Sequence, residues 1–270
     1  MDNIFTYINR EYIPFNQSSV PVSDLIVQRG YGIFDFFLVK DKVPPFLSFH
    51  LDRFIRSAAL MGLDLPYTKE ELTEIVNSLI QKNNIQNSSV KIMLTGGVSP
   101  DDFTLTPAAS SLIVINKPFE IKWPEAWKNG ASLITSRYQR EVPEAKTINY
   151  IRSVRLSRQL MESGAAEVLY LDRNWVRECS RSNVFYVKDH CVYTPKTKIL
   201  EGVTRKRILQ LEGYNILVAD FKLKELLAAD EVFITSTSKG VLPVIKIDSK
   251  IISNGRIGAI TQAIQKEILM

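Results

Sequence analysis

Glu144-Ala145-Lys146-Thr147-Ile148-Asn149-Tyr150 is the stretch on which the reading of the chain turns. It follows Pro143 and precedes a helical pattern beginning near Tyr150, so Lys146 is expected among residues of a strand leaving a loop. A lysine there has two readings. Most lysines are solvated surface groups. A lysine amine also serves to hold a carbonyl cofactor as a Schiff base. The second reading gains weight from what lies downstream. An acidic and hydroxyl-rich turn is followed by two stretches suited to cradle an anion, in a consistent order.

The chain has 270 residues, 45% hydrophobic and 23% charged, a globular composition large enough for two lobes. The net charge of +5 comes mostly from interspersed residues. The densest basic run, Arg205-Lys206-Arg207, falls at an expected helix start. It would help attract an anionic ligand, but without interleaved aromatics it is no nucleic-acid signature. Cys179 and Cys191, on strands expected to be neighbours, form no disulfide framework and fit a reducing compartment. With only His50 and His190 beside them, a zinc cluster is not expected. Met1 to Arg10 lacks a basic start followed by an apolar run, and no apolar stretch approaches the roughly 20 residues of a membrane helix. A cytoplasmic protein without membrane contact is the expectation.

The first third reads as α+β. Strands are expected at Ile4–Ile8, Phe34–Val39, Val90–Thr95 and Ser111–Ile115. A helix over Leu51–Met61 has Leu51, Phe54, Ile55 and Ala58 on its buried face, with Arg53 and Ser57 on another, and stops at Gly62. A second helix covers Glu70–Lys82, with Thr68 as N-cap and Glu71 completing a capping box. Residues 117–130 have poor periodicity and contain Pro118, Pro124 and Gly130. They are read as a linker between a domain at 1–116 and a larger one at 131–270. The second domain opens with a strand at Ala131–Arg137. A helix from Tyr150 to near Gly164 follows, then a hairpin of Glu167–Leu171 with Val176–Glu178. Strands are expected at Asn183–Val187, Cys191–Thr194 and Glu231–Thr235, and helices over Thr204–Glu212 and from near Gly258.

Four places offer chemistry. Gly202-Val203-Thr204-Arg205 precedes a helix, whose first N–H groups suit a phosphate; it also reads as a plain N-cap with Thr204 as the capping residue. Thr235-Ser236-Thr237-Ser238 gathers hydroxyls and amides at a strand end, and also reads as a polar turn. Glu178, just before Cys179-Ser180-Arg181-Ser182-Asn183, offers a carboxylate for a protonated ring nitrogen, or is an exposed strand-end glutamate. Arg53 offers a bidentate clamp for a phosphate, or pairs with Asp52 or Asp35 at the surface. A lysine, a carboxylate, an arginine and two anion cradles are together what a pyridoxal phosphate site requires.

At this level the chain resembles the class IV, or fold type IV, pyridoxal-phosphate enzymes: branched-chain aminotransferases, D-amino-acid aminotransferases and aminodeoxychorismate lyases. The resemblance runs from about Asp24 to Asp248. It is carried by Gly30-Tyr31-Gly32-Ile33-Phe34-Asp35, His50-Leu51-Asp52-Arg53 with Ser57-Ala58, Lys146 with Asn149-Tyr150, Glu178 through Ser182-Asn183-Val184-Phe185, Gly202-Val203-Thr204-Arg205, and Glu231 through Thr237. It implies a two-lobed α+β fold, with a small N-terminal α/β lobe, a larger mainly-β C-terminal lobe with helices, the cofactor in the cleft between them, and a homodimer. It implies that Lys146 is the Schiff-base lysine and proton shuttle, and that Glu178 pairs with the ring nitrogen. Arg53, Val203, Thr204, Ser236 and Thr237 hold the phosphate, and Tyr150, Ser182, Asn183 and Leu200 complete the cofactor site. No metal is needed. The reaction implied is amino transfer between an amino acid, of a branched-chain or other apolar kind, and a 2-keto acid.

Three departures from the family's pattern stand out. Tyr31 replaces the aspartate of a Gly-Asp-Gly-type motif. Gly96 stands where many members, notably the D-amino-acid enzymes, carry an arginine for the substrate carboxylate, leaving Arg29 or Arg137 for that task. Tyr150 lies one residue closer to Lys146 than in the branched-chain enzymes. Tyr31, Phe34, Phe36 and Phe37 are the apolar candidates for the substrate side chain, of which only those on one face of the strand can line a pocket. The alternatives are a lyase releasing pyruvate from aminodeoxychorismate, and a non-catalytic module binding the cofactor or a partner.

Overall fold

The computed structural model describes residues 4–120 and 125–269. They form two compact units. One contains the described residues up to Glu120 together with Glu144–Asn149; the other contains those that follow up to Pro143 and those from Tyr150 onward. Residues 121–124, inside the stretch read as a linker, lie outside the described residues.

The first unit is a sheet with helices packed on it. Its strands are β1 (Phe5–Ile8), β2 (Glu11–Pro14), β3 (Gly32–Val39), β4 (Ser88–Thr95) and β5 (Leu112–Pro118), in the order β2-β1-β5-β4-β3 with antiparallel pairings. A short α1 (Leu25–Gln28) precedes β3; α2 (Leu47–Leu60) and α3 (Lys69–Asn83) follow it. In β3 alternate residues are buried: Ile33, Asp35, Phe37 and Val39. They meet Leu51 and Phe54 of α2 and Leu72, Val76 and Leu79 of α3 in one core. The capping box on α3 forms as expected: Thr68 Oγ1 accepts from Glu71 N–H, and Glu71 returns the bond to Thr68 N–H. Helix α2 starts a turn earlier than Leu51, because Phe46 adopts a left-handed conformation (φ 59°) after two prolines and turns the chain into the helix. Arg53 and Ser57 are buried, which corrects the expectation that they face away from the core side.

The Lys146 stretch is not a strand. It makes a single bridge, Thr147 to Ile33. The backbone bonds are Phe34 N–H to Lys146 O (2.9 Å) and Ile148 N–H to Gly32 O (3.1 Å). Since β3 ends the sheet order, its outer edge offers these groups for pairing.

The second unit holds α4 (Ala126–Asn129), β6 (Ala131–Arg137), α5 (Ile151–Arg155), α6 (Ser157–Ser163), β7 (Glu167–Asp172), β8 (Trp175–Cys179), β9 (Asn183–Lys188), β10 (Cys191–Thr194), α7 (Val203–Ile208), β11 (Asn215–Val218), α8 (Leu223–Leu227), β12 (Glu231–Ser236), β13 (Gly240–Ile247), β14 (Lys250–Ile251) and α9 (Ala259–Leu269). The sheet order is β11-β10-β9-β12-β13-β6-β7-β8, with β14 on β13. Cys179 N–H donates to Ser182 O (2.7 Å), so the sheet's last strand turns back into β9. Phe185 and Phe233 stack across β9 and β12 with centroids 4.9 Å apart. Cys179 and Cys191 are both free, and their strands do not pair, contrary to the expectation of neighbouring strands.

The helix expected from Tyr150 to Gly164 breaks at Leu156. Ser157 Oγ donates to Val154 O (2.7 Å) and so competes for a carbonyl of that turn. Helix α7 stops at Ile208, short of Glu212, and Arg205 in its basic run is buried, donating to Thr194 Oγ1 and Pro195 O. Among the described residues no helix is long and apolar enough to cross a membrane.

Candidate active site

In the first unit, Asp35 on β3 collects the site's arginine. Its carboxylate accepts from Arg53 Nε (Oδ2, 2.8 Å) and Arg53 Nη2 (Oδ1, 2.8 Å), lies 2.8 Å from His50 Nδ1, and accepts Phe36 N–H at 2.7 Å. His50 and Arg53 stand three apart on α2, so both reach the same spot. Burial alone would push Asp35 up; the Arg53 and His50 charges outweigh it and hold the carboxyl well below the usual carboxylate range. Burial pushes His50 down, against the pull of Asp35. Arg53 therefore pairs with Asp35 in the interior, not at the surface, and Asp52 pairs with Lys69 instead.

One turn further along α2, Ser57 Oγ donates to Arg53 O (2.8 Å) and accepts from Lys146 N–H (3.1 Å). The lysine backbone is thus pinned to α2 and to the β3 edge. Its ammonium lies 4.5 Å from the centroid of the Phe34 ring, a cation–π distance. Tyr31 is half-buried and its hydroxyl donates to Met61 O. Arg29 is exposed, with Nη1 donating to Gln28 O.

Asp35→Ala removes the anion from a buried pair and is expected to cost about 3–5 kcal/mol of stability at neutral pH. The sign with pH is set by a folded pKa lying below the unfolded one. The Asp35 contribution is complete above the unfolded value of about 3.9 and fades as acid approaches the folded value. Urea unfolding of both proteins checks this: the gap between them should close only below about pH 4.

In the second unit, Glu178 ends near the C-terminus of β8 and is buried, not exposed at a strand end. Oε1 accepts from Arg140 Nε at 2.8 Å and Oε2 from Leu200 N–H at 3.0 Å. Asn183, first in β9, holds the same loop twice: Nδ2 donates to Leu200 O (2.7 Å) and Oδ1 accepts Gly202 N–H (3.1 Å). A Cβ at Gly202 would fall 2.2 Å from Asn183 Oδ1, so only glycine allows this approach. Gly202, not Thr204, is the N-cap of α7; Val203 and Thr204 are its first two residues, and first-turn N–H groups have no partner within their own helix. Ser236 closes β12, and its hydroxyl is buried without a hydrogen-bond partner among the described residues. Thr237 is half-buried in the turn after it. Ser182 Oγ donates to Glu167 Oε1 (2.9 Å). Tyr150 is half-buried; burial pushes its phenol up, against the opposing charge of Arg140. Arg137 is exposed at the end of β6.

Within the first unit, then, Arg53, Lys146 and Phe34 come together, while Arg29 stays at the surface. Within the second, Glu178, Asn183, Leu200 and Gly202-Val203-Thr204 form one bonded group. Reading the sequence missed Arg140 and Glu167. No spacing marks either residue: β7 is buried on both faces, so its pattern does not single out Glu167.

The donor set fits pyridoxal 5′-phosphate. An orphaned buried hydroxyl on Ser236 and a glycine-shaped helix start suit a phosphate, and a buried carboxylate suits a protonated ring nitrogen. Groups of these kinds are what enzymes of the carbonyl-cofactor class use to bind their cofactor. The chain belongs to the class IV amino-transferases: the family's profile matches residues 32–247. Its cofactor is pyridoxal 5′-phosphate, and it is a class IV aminotransferase. The chain is 32% identical over 268 residues to the D-alanine aminotransferase of Staphylococcus haemolyticus, covering 96% of this chain and 95% of that protein. It is 30% identical over 275 residues, covering 97% and 94%, to a Methanocaldococcus jannaschii protein provisionally named a branched-chain-amino-acid aminotransferase. A crystal structure of a branched-chain amino acid aminotransferase with pyridoxamine 5′-phosphate, from the organism abbreviated T.th., superposes with a TM-score of 0.89 at 26% identity, over 99% of this chain and 93% of that one.

Proposed function

We propose that the protein moves an amino group between an apolar amino acid of the branched-chain kind and a 2-keto acid, in two half-reactions of ping-pong form. One observation carries the choice of substrate. A Cβ on Gly96 would lie 2.8 Å from Leu25 Cβ and 3.1 Å from Tyr31 Cδ1, so no arginine side chain has room at this position. The carboxylate arginine of the D-amino-acid enzymes is therefore missing and cannot be accommodated without moving α1. Arg29 and Arg137, both exposed, are the candidates for the substrate carboxylate. Tyr31 and Phe34 offer half-buried aromatic surface to an aliphatic side chain.

Bound pyridoxal phosphate supplies an aldehyde that condenses with amines and a ring that takes up the electron pair left when an α-proton departs. The chain's own groups do the rest. Lys146 Nζ would anchor the aldehyde; once a substrate amine has displaced it from that carbon, the freed amine would take the α-proton and deliver it one carbon over. Glu178 keeps the ring nitrogen protonated, and Arg140 with Leu200 N–H keeps that carboxylate oriented. The N–H groups of Val203 and Thr204, the hydroxyls of Ser236 and Thr237, and Arg53 hold the phosphate. Asn183, with Ser182 beside it, fixes the loop through Leu200 and Gly202. Tyr150, whose phenol burial pushes up, would donate to the ring oxygen.

Ser236→Ala separates binding from folding. The hydroxyl has no partner to lose among the described residues, so the cofactor-free protein should melt at or slightly above the wild-type temperature. Cofactor affinity should fall by about tenfold, one lost hydrogen bond to a charged group. Calorimetry of the apoprotein and cofactor titration read the two effects separately.

The test of substrate class is kcat/KM with 2-oxoglutarate as acceptor. L-leucine, L-isoleucine or L-valine should exceed D-alanine by about a hundredfold or more. D-alanine as the better donor would overturn the reading. Pyruvate released from aminodeoxychorismate without an acceptor would assign a lyase instead. The same reading has the enzyme work in the cytoplasm as a homodimer, which sedimentation equilibrium measures directly.

A further inference from the structure

Glu167 opens β7 and is fully buried. Its carboxylate gathers donors from two separate turns. Ser180 Oγ (3.0 Å), Arg181 N–H (2.9 Å) and Ser182 Oγ (2.9 Å) come from the turn that joins β8 to β9. Lys239 Nζ (2.5 Å) comes from the turn that joins β12 to β13. The first turn carries Glu178 just before it and Asn183 just after it. The second carries Ser236 and Thr237. Asn183 pairs with Thr235 across β9 and β12, which sets the two turns side by side. Ser180 N–H donates to Val168 O at 3.0 Å, which ties the first turn to β7.

We infer that Glu167 and Lys239 form a buried strut that fixes the spacing between the Ser180–Ser182 turn and the Ser236–Gly240 turn, and that both are positioning residues for the cofactor. The inference rests on the proposed function, since the two turns matter together only if they hold one ligand. The physical case is one of satisfaction. Burial alone would push the Glu167 carboxyl up, but the charges of Lys239 and Arg181 and the bonds from both turns hold it below its ordinary range. Among the described residues Lys239 is the one donor from the second turn, so without it the anion is held from the first turn only. A solvated β-turn with no such tie is free to shift relative to its neighbour. Phosphate and ring-nitrogen contacts on two independently moving turns would have to be ordered at each binding event, at a cost in affinity.

The experiment titrates the apoprotein with pyridoxine 5′-phosphate, which has the ring and phosphate but no aldehyde, and so reads positioning without Lys146 chemistry. Wild type, Glu167→Gln, Lys239→Met, Lys239→Arg and the Glu167→Gln/Lys239→Met double variant are compared, with circular dichroism as a check on folding. Each of Glu167→Gln and Lys239→Met should raise the dissociation constant by about tenfold or more. The double variant should be no weaker than Glu167→Gln alone, because both groups act through one contact. Lys239→Arg should recover most of the affinity. If Glu167→Gln fails to fold, Lys239→Met decides the question, because its side chain is partly exposed. Wild-type affinity in a folded Lys239→Met protein, with only a lower melting temperature, would overturn the strut and leave the proposed function standing. Wild-type protein that binds neither pyridoxine phosphate nor pyridoxal phosphate would overturn the proposed function, and the strut with it.

Discussion

Lys146→Ala should lower kcat/KM by about a thousandfold or more, the combined loss of a covalent anchor and a proton carrier. The variant keeps the backbone bonds of this residue. Lys146 N–H donates to Ser57 Oγ, and Lys146 O accepts from Phe34 N–H, and alanine keeps both bonds. The side chain also lies over the Phe34 ring, and a cation–π pair that is partly exposed contributes only about 0.5–1 kcal/mol. Folding should therefore survive while chemistry does not. Borohydride reduction of the wild-type protein followed by peptide mapping should place the pyridoxyl label on Lys146, and the alanine variant should take none. Substantial amino transfer by the alanine variant would remove Lys146 from the mechanism.

Glu178→Gln should lower kcat by about a hundred- to a thousandfold while leaving the cofactor bound and the lysine labelled. The amide has the shape of the carboxylate but no charge. Its oxygen can still accept from either Arg140 Nε or Leu200 N–H, yet its NH2 group now faces the other donor. The ring nitrogen then loses the anion that keeps it protonated. The effect should appear in kcat more than in KM, since the proton matters most as charge develops during α-proton removal. A visible spectrum and single-turnover kinetics on the same preparation separate lost cofactor from lost chemistry. Unchanged single-turnover rates would assign Glu178 a purely structural place in the Leu200 loop.

Elements with strong local signals were legible in the sequence. Helix α3 declared itself by Thr68 and Glu71, because a capping box is complete within four residues. Strands β3 and β9 declared themselves by short apolar runs, residues 36–39 and 184–187. Strand β13 did not, because Pro243 argues against a strand. The structure resolves this: Pro243 pairs with Phe233 on one side, while pairing with β6 starts only at Val244. The site was legible as a list of residues but not as a set of bonds. The Arg53–Asp35 pair was read at the surface, since nothing local shows that Asp35, 18 positions earlier, is buried. Arg140 and Glu167 were illegible for the same reason. The Glu178 partner of Arg140 lies 38 residues away and the partners of Glu167 lie 13 to 72 away, distances at which sequence carries no periodic signal.

The path of the backbone through the two units bears on how the protein is made. The first unit is not finished when Glu120 leaves the ribosome, because Glu144–Asn149 also belongs to it. Until residues 146–148 are synthesised, the outer edge of β3 has no native partner for Phe34 N–H and Gly32 O. An unpaired edge is where nascent chains stick to one another. The residues that cover it here include Lys146, so translation completes the first sheet and brings in that lysine in the same step.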